Sequence, residues 1–164
     1  MSRKRRSYET GHRPKFLVVV DDTAECDRAL YYASRRAARI GGGVVMLRVI
    51  ETEDRNQQWL GVADIMRAEA HEQANATLDR FAEQASSFAG ILPERSIREG
   101  DAAEQIRALI EEDDDIAALI LAAGTGTEGP GPLVTNLGMT VGTFPIPVVI
   151  VPGHLADEDL IAMS

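Results

Sequence analysis

The sequence predicts an α/β fold: a five-stranded, mostly parallel sheet, doubly wound with helices on both faces. Three observations carry that reading. Short apolar runs alternate along the chain with segments of helical periodicity. The runs are continuously apolar rather than alternating, as strands covered on both faces require. Glycines and prolines stand at the joints between them. At 164 residues with 45% apolar content, one domain around one core is the natural organisation.

The elements follow in order. "FLVVV", Phe16 to Val20, is the first strand, and it ends at the acidic pair Asp21 and Asp22. Cys26 to Ile40 set Leu30, Ala33, Ala37 and Ile40 on one helical stripe, with Arg35, Arg36 and Arg39 around it, and Gly41 to Gly43 supply the stop. "VVMLRVI", Val44 to Ile50, is the second strand. Glu51 to Leu60 read as a loop whose single Trp59 packs on the next helix.

From Gly61 to Ala89, the residues Ala63, Met66, Ala70, Ala74, Leu78, Phe81, Ala85 and Phe88 recur at three- and four-residue intervals, the pattern of a long amphipathic helix with His71 on its solvated side. After Pro93, "RSIREG" is a short third strand. Asp101 is placed to cap a helix with the stripe Ala102, Ile106, Leu109 and Ile110. "IAALILA" is the fourth strand. Leu133 to Phe144 suit a short helix weakened by glycines and threonines, and Val148 to Val151, within "FPIPVVIVPG", is the fifth strand. The domain therefore spans residues 15–153, between a basic arm (1–14) and an acidic tail (154–164), both expected to be disordered.

Charge narrows the function classes. A formal net charge of −9 makes the body a poor ligand for nucleic acid or anionic membrane. Six basic residues fall in the first fifteen with Tyr8 the single aromatic among them, and the arm reads as solvated rather than as a nucleic-acid contact. No apolar stretch approaches the roughly 20 residues of a membrane span, and Asp21 and Asp22 cut short any export-signal reading of the N-terminus. One cysteine, Cys26, forms no internal disulfide and suits a reducing, cytoplasmic setting, where it reads as a small buried side chain. From Ala108 onward there are nine acidic residues and no Lys or Arg. The run Glu111 to Asp115 reads as a solvated helix end, although carboxylates there oppose the macrodipole.

In an open parallel sheet, ligands bind beyond the carboxyl ends of the strands at the switch in strand order. Asp21 and Asp22, Val49 to Thr52, and Ala123 to Thr135 are the segments to inspect. The last falls within "AAGTGTEGPGPLVT", Ala122 to Thr135, four glycines and two prolines in fourteen residues without a basic side chain. Backbone N–H groups of a Gly-rich turn make an anion nest. Thr125, Thr127 and Thr135 add hydroxyls, while Pro130 and Pro132 remove donors and Glu128 repels phosphate.

Phe16 to Pro152 resemble the universal stress protein family, through "VVVDDTAECDRALYYASRRAAR", "VVMLRVI", "REGDAAEQI", "ALILAAGTG" and "PIPVVIVP" in that order. The resemblance implies a Rossmann-like, adenine nucleotide alpha hydrolase-like sandwich with strand order 3-2-1-4-5. It also implies a dimeric stress-response protein that binds adenine nucleotide or is nucleotide-free. On that resemblance the nucleotide pocket falls on Val20, Asp21, Val49, Ala123 and Gly124, with Gly126 and Thr135 in the phosphate loop and Asp21 accepting from an amino or hydroxyl group. AMP or ATP is the implied ligand, with Mg²⁺ for a triphosphate.

The sequence departs from the family's nucleotide motif, a Gly, two residues, Gly, nine residues, Gly and then Ser or Thr. Measured back from Pro145 and Pro147, Val134 and Thr135 occupy its last two places and the segment is three residues short. Starting instead at Gly126 and Gly129 puts Met139 where glycine belongs. Tight triphosphate binding is therefore not expected, and Asp22 stands where the family more often has glycine. Asp21 reads equally well as a cap on the helix that follows it.

Two rival readings fall to residue checks. A phosphorelay receiver needs an Asp after strand three and a Lys after strand five, and this chain has no Lys after Lys15. An enzyme needs a nucleophile with a base, or metal-ligand spacing, and neither stands out; slow nucleotide hydrolysis is left open. The live alternatives are a weak or altered adenine-nucleotide site and a nucleotide-free interaction scaffold. In both, Val148 to Val151, last in the chain and apolar, is expected to pair with a second copy.

Overall fold

The computed structural model describes residues 4–51 and 60–164, with the side chains of 60–62 set aside. Trp59 and most of the loop around it lie outside the described residues. The element order is β1 (Lys15–Val19), α1 (Cys26–Ile40), β2 (Gly43–Ile50), α2 (Leu60–Ala89), β3 (Glu94–Glu99), α3 (Ala102–Glu112), β4 (Ile116–Ala123), α4 (Pro132–Gly138), β5 (Val148–Pro152) and α5 (Asp157–Met163). All four strand pairings are parallel and the sheet order is β3-β2-β1-β4-β5. The doubly wound α/β fold and its order are as the sequence and the resemblance implied.

Strand alternation divides the core in two. Phe16, Val18, Val44, Met46, Ala118 and Ile120 face α1, α2 and α5. Leu17, Val19, Val45, Leu47, Leu119 and Leu121 face α3 and α4. Helix α1 ends where expected, with Gly41 in the left-handed conformation at φ +69°. Helix α3 begins where expected, with Asp101 Oδ2 accepting from the Glu104 N–H at 3.1 Å. Cys26 is buried, its thiol pushed up to about 12 by burial, consistent with an inert core residue.

Four expectations need correction. The long stripe of α2 is buried only in its second half: Ala74, Leu78, Phe81 and Ala85 are covered, while Met66 is 63% exposed. Thirty residues of helix run roughly 45 Å, whereas the strands span roughly 17–27 Å, so the first turns pass beyond the sheet. His71 is not simply solvated, because its Nε2 meets Glu99 Oε1 at 2.8 Å. The expected helix over 133–144 shortens to α4 plus a 3-10 turn at Val141–Thr143.

The arm and tail are the fourth correction, because neither is loose where described. Arg5 Nη1 donates to the carbonyls of Ile110 (2.8 Å) and Asp113 (3.0 Å) at the C-terminal end of α3. Lys15 Nζ lies 2.9 Å from Asp113 Oδ2 and His12 Nδ1 lies 2.7 Å from Asp115 Oδ1. Carbonyls and carboxylates concentrated at one helix end form a negative focus, and the basic arm folds back to satisfy it. The tail forms α5, with Leu160 buried against the α1 side and Arg28 Nη1 bridging Asp157 Oδ1 (2.8 Å) and the Leu155 carbonyl (3.1 Å).

No helix among the described residues is long and apolar enough to cross a membrane. The arm's role is testable by Arg5→Ala, which is expected to lower stability by about 1–3 kcal/mol in urea titrations through loss of charge-assisted bonds to the α3 terminus. Unchanged midpoints would show that the arm contributes nothing to the fold.

Candidate functional site

Beyond the carboxyl ends of β1 and β2 lies a cavity of about 350 Å³, at the lower end of small-molecule pockets. Val20, Asp21 and Val49 line it, together with Asp22, Arg48, Glu51, Ala70, Gln73, Ala102, Pro132 and Leu133. It straddles the end of β2. Val49 packs against the core on the α3/α4 side, so Arg48, its neighbour in the strand, points to the α2 side where Ala70 and Gln73 form the wall.

Ala123, Gly124, Gly126 and Thr135 do not line this cavity. The crevice at the β1/β4 switch, where they were expected to act, holds only about 20 Å³ because Pro130 to Val134 fill it. The loop closes on itself: the Gly124 N–H donates to the Pro130 carbonyl (3.0 Å) and the Gly129 N–H to the Gly126 carbonyl (3.2 Å). Gly126 and Thr135 are exposed, and the Thr135 N–H serves the first turn of α4 by bonding the Gly131 carbonyl (3.0 Å). Ala123 is engaged too, its carbonyl accepting from the Gly153 N–H at 2.8 Å. Glu25 presses on the same place. A Cβ at Gly124 would lie 3.0 Å from Glu25 Oε1, so a carboxylate occupies the approach a phosphate would need.

Asp21 lines the cavity, but it does not cap α1, whose N-cap position is Glu25. Asp21 Oδ1 accepts from the Thr23 N–H (3.0 Å) and the Thr23 hydroxyl, closing the turn that precedes α1. Both bonds fall on one oxygen, and a carboxylate has roughly four acceptor sites, so Oδ2 keeps its capacity at the cavity. Asp22 is paired, its Oδ2 2.8 Å from Arg48 Nη2, while Arg48 Nη1 donates to the Val20 carbonyl at 3.2 Å.

Arg48, Glu25 and Gln73 were not singled out from the sequence. The arginine stood within "VVMLRVI" as the only charged residue of that strand, which was the available signal. Among the described residues lining the cavity it is the only basic one, against Asp21, Asp22 and Glu51. No group of three or more His, Cys, Asp or Glu suited to a metal is found among the described residues.

The α2 wall is anchored at the tip of β3, where Glu99 Oε1 receives Arg67 Nε and His71 Nε2. The Arg67 hydrogen bond, then that of His71, holds the Glu99 carboxyl below its usual range. A depressed folded-state pKa gives stability that is present above the ordinary carboxylate value, about 4.3, and lost as pH falls through the folded value. Amide exchange in the first half of α2 is therefore expected to accelerate on acidification into that range, and Glu99→Gln to remove the pH dependence. Equal acid sensitivity in the variant would locate the effect elsewhere.

Comparison with known proteins agrees with this architecture. The model of the universal stress protein family matches residues 12–152. No curated protein matches the chain in sequence. Among solved structures, the universal stress protein UspA from Lactobacillus plantarum is 19% identical, with a TM-score of 0.68 over 84% of this chain and 97% of that one. A universal stress protein solved in complex with cAMP is 14% identical, with a TM-score of 0.60 over 85% and 97% of the two chains. The universal stress protein from Archaeoglobus fulgidus in complex with dAMP is 17% identical, with a TM-score of 0.58 over 84% and 96%. With residues 12–152 matched and the β3-β2-β1-β4-β5 parallel sheet in place, the chain belongs to the universal stress protein family.

Proposed function

We propose that this chain is a cytoplasmic, homodimeric stress-response protein that holds the adenosine end of an adenine nucleotide weakly, in the cavity beyond β1 and β2, and is not an enzyme. The observation that carries this reading is the cavity itself, with apolar Val20 and Val49 beside the carboxylate of Asp21. Flat apolar surface suits a base, and a carboxylate suits amino and hydroxyl donors. The relatives solved with cAMP and dAMP support an adenine ligand. The closed loop at Gly124, the adjacent Glu25 and the excess of carboxylates at the cavity argue against a triphosphate, with or without Mg²⁺.

Titration calorimetry with adenosine, AMP, ADP and ATP, alongside extraction of co-purifying nucleotide, tests this. Binding is expected to weaken from AMP to ATP, and Asp21→Asn to weaken adenosine binding by roughly tenfold, the scale of one charge-assisted hydrogen bond. ATP binding tighter than AMP would overturn the reading. No binding by any of the four would leave the nucleotide-free scaffold.

The dimer rests on β5, which is at the sheet edge with Ile150 46% exposed. Unpaired strand edges carrying apolar side chains favour a second copy. Light scattering is expected to give twice the chain mass for the native protein and a monomer for Ile150→Lys; a native monomer would refute it.

A further inference from the structure

We infer that Arg48 is the phosphate-receiving side chain of the cavity and that Asp22 competes with the ligand for it, so that the site selects a nucleoside monophosphate. This rests on the proposed adenine-nucleotide reading and extends it. Phosphate recognition would then leave the glycine loop altogether and pass from the β1/β4 crevice to the β1/β2 side of the strand tips.

The argument begins with placement. Arg48 and Val49 are consecutive in β2 and both line the cavity, one toward α2 and the other toward α4. A ligand with its base on Val49 and Leu133 and its ribose near Asp21 would have the Arg48 guanidinium within the same cavity to receive its remaining end. No other basic side chain among the described residues lines the cavity.

The guanidinium is also prepared for an anion. Its bond to the Val20 carbonyl fixes it against the end of β1, and its side chain is only 18% exposed. A guanidinium has five N–H donors. The Val20 carbonyl and Asp22 engage one donor on each terminal nitrogen, which leaves donors in the planar fork that matches phosphate oxygens. Asp22, by contrast, is 80% exposed, and an exposed ion pair is readily exchanged for a stronger anion.

Charge sets the number of phosphates. One arginine against Asp21, Asp22 and Glu51 accommodates a single phosphate group that replaces Asp22 on the fork. Each further phosphate meets carboxylates with no additional cation among the described lining residues, so added negative charge is opposed. Asp22 thus acts as a placeholder for the phosphate.

The test compares AMP with adenosine by calorimetry in the native protein and in Arg48→Gln, Arg48→Lys and Asp22→Asn, with thermal unfolding confirming that each variant is folded. AMP is expected to bind about tenfold tighter than adenosine in the native protein. That advantage is expected to vanish in Arg48→Gln, shrink in Arg48→Lys, which keeps charge without the fork, and grow severalfold in Asp22→Asn. If Arg48→Gln fails to fold, the Lys and Asn variants carry the same test in opposite directions. Equal binding of AMP and adenosine in the native protein, or an advantage indifferent to both positions, overturns the role of Arg48 while leaving the adenosine site standing. Absence of adenosine binding in the native protein overturns the site and this inference together.

Discussion

Burial of β1 on both faces and both edges is the constraint on which the rest of the molecule depends. Leu17 and Val18 are fully buried, one in each half of the core, and the strand pairs with β2 on one side and β4 on the other. Each such side chain contributes about 1.5–3 kcal/mol relative to exposure. A strand so enclosed has no choice of face, because a slip of one residue would exchange the two cores. Its end is fixed with equal force. The Val20 N–H continues the ladder to Leu47, its carbonyl turns to Arg48, and the chain leaves the sheet at two carboxylates that must face solvent or a partner. The cavity is the consequence of that departure beside a neighbouring strand that runs on to Ile50.

The fold was legible because its signals are local and agree with one another. "FLVVV" and "IAALILA" read as doubly covered strands and form them, Gly41 stops its helix in the left-handed conformation, and Asp101 caps the helix it precedes. Val20, Asp21 and Val49 were legible for the same reason, since strand ends in a parallel sheet converge whatever the loops do. The closure of the glycine-rich loop was not. Whether a glycine-rich segment opens its N–H groups to a ligand or spends them on its own carbonyls depends on where Pro130 and Pro132 turn the chain, and composition alone does not fix that.

The arm and tail show a second kind of illegibility, which is electrostatic. Separate clusters of basic residues at 4–6 and acidic residues at 111–115 each look solvated, and only the topology reveals that β1 and β4 start side by side and bring them together. Asp157, Glu158 and Asp159 had a local signal that was available: three carboxylates in a row favour the first turn of a helix, where the macrodipole is positive. The projection of α2 has the same origin as the arm, since helical periodicity states which face is apolar and not how far the sheet extends beneath it.

These two lessons meet at Arg48. A charged residue in an otherwise apolar strand is costly to bury unless its charge is answered, and here a carbonyl and one exposed carboxylate answer it. The Val20 carbonyl is part of the sheet's own architecture and anchors the guanidinium whether or not anything is bound. The Asp22 contact is different in kind, because that side chain belongs to a turn outside the sheet and loses little when it moves into solvent. An arginine held by one permanent partner and one replaceable partner keeps its position while its charge stays available. With Glu25 and the closed loop filling the switch-point crevice, Arg48 is the one basic side chain among the described residues that line the cavity beside it.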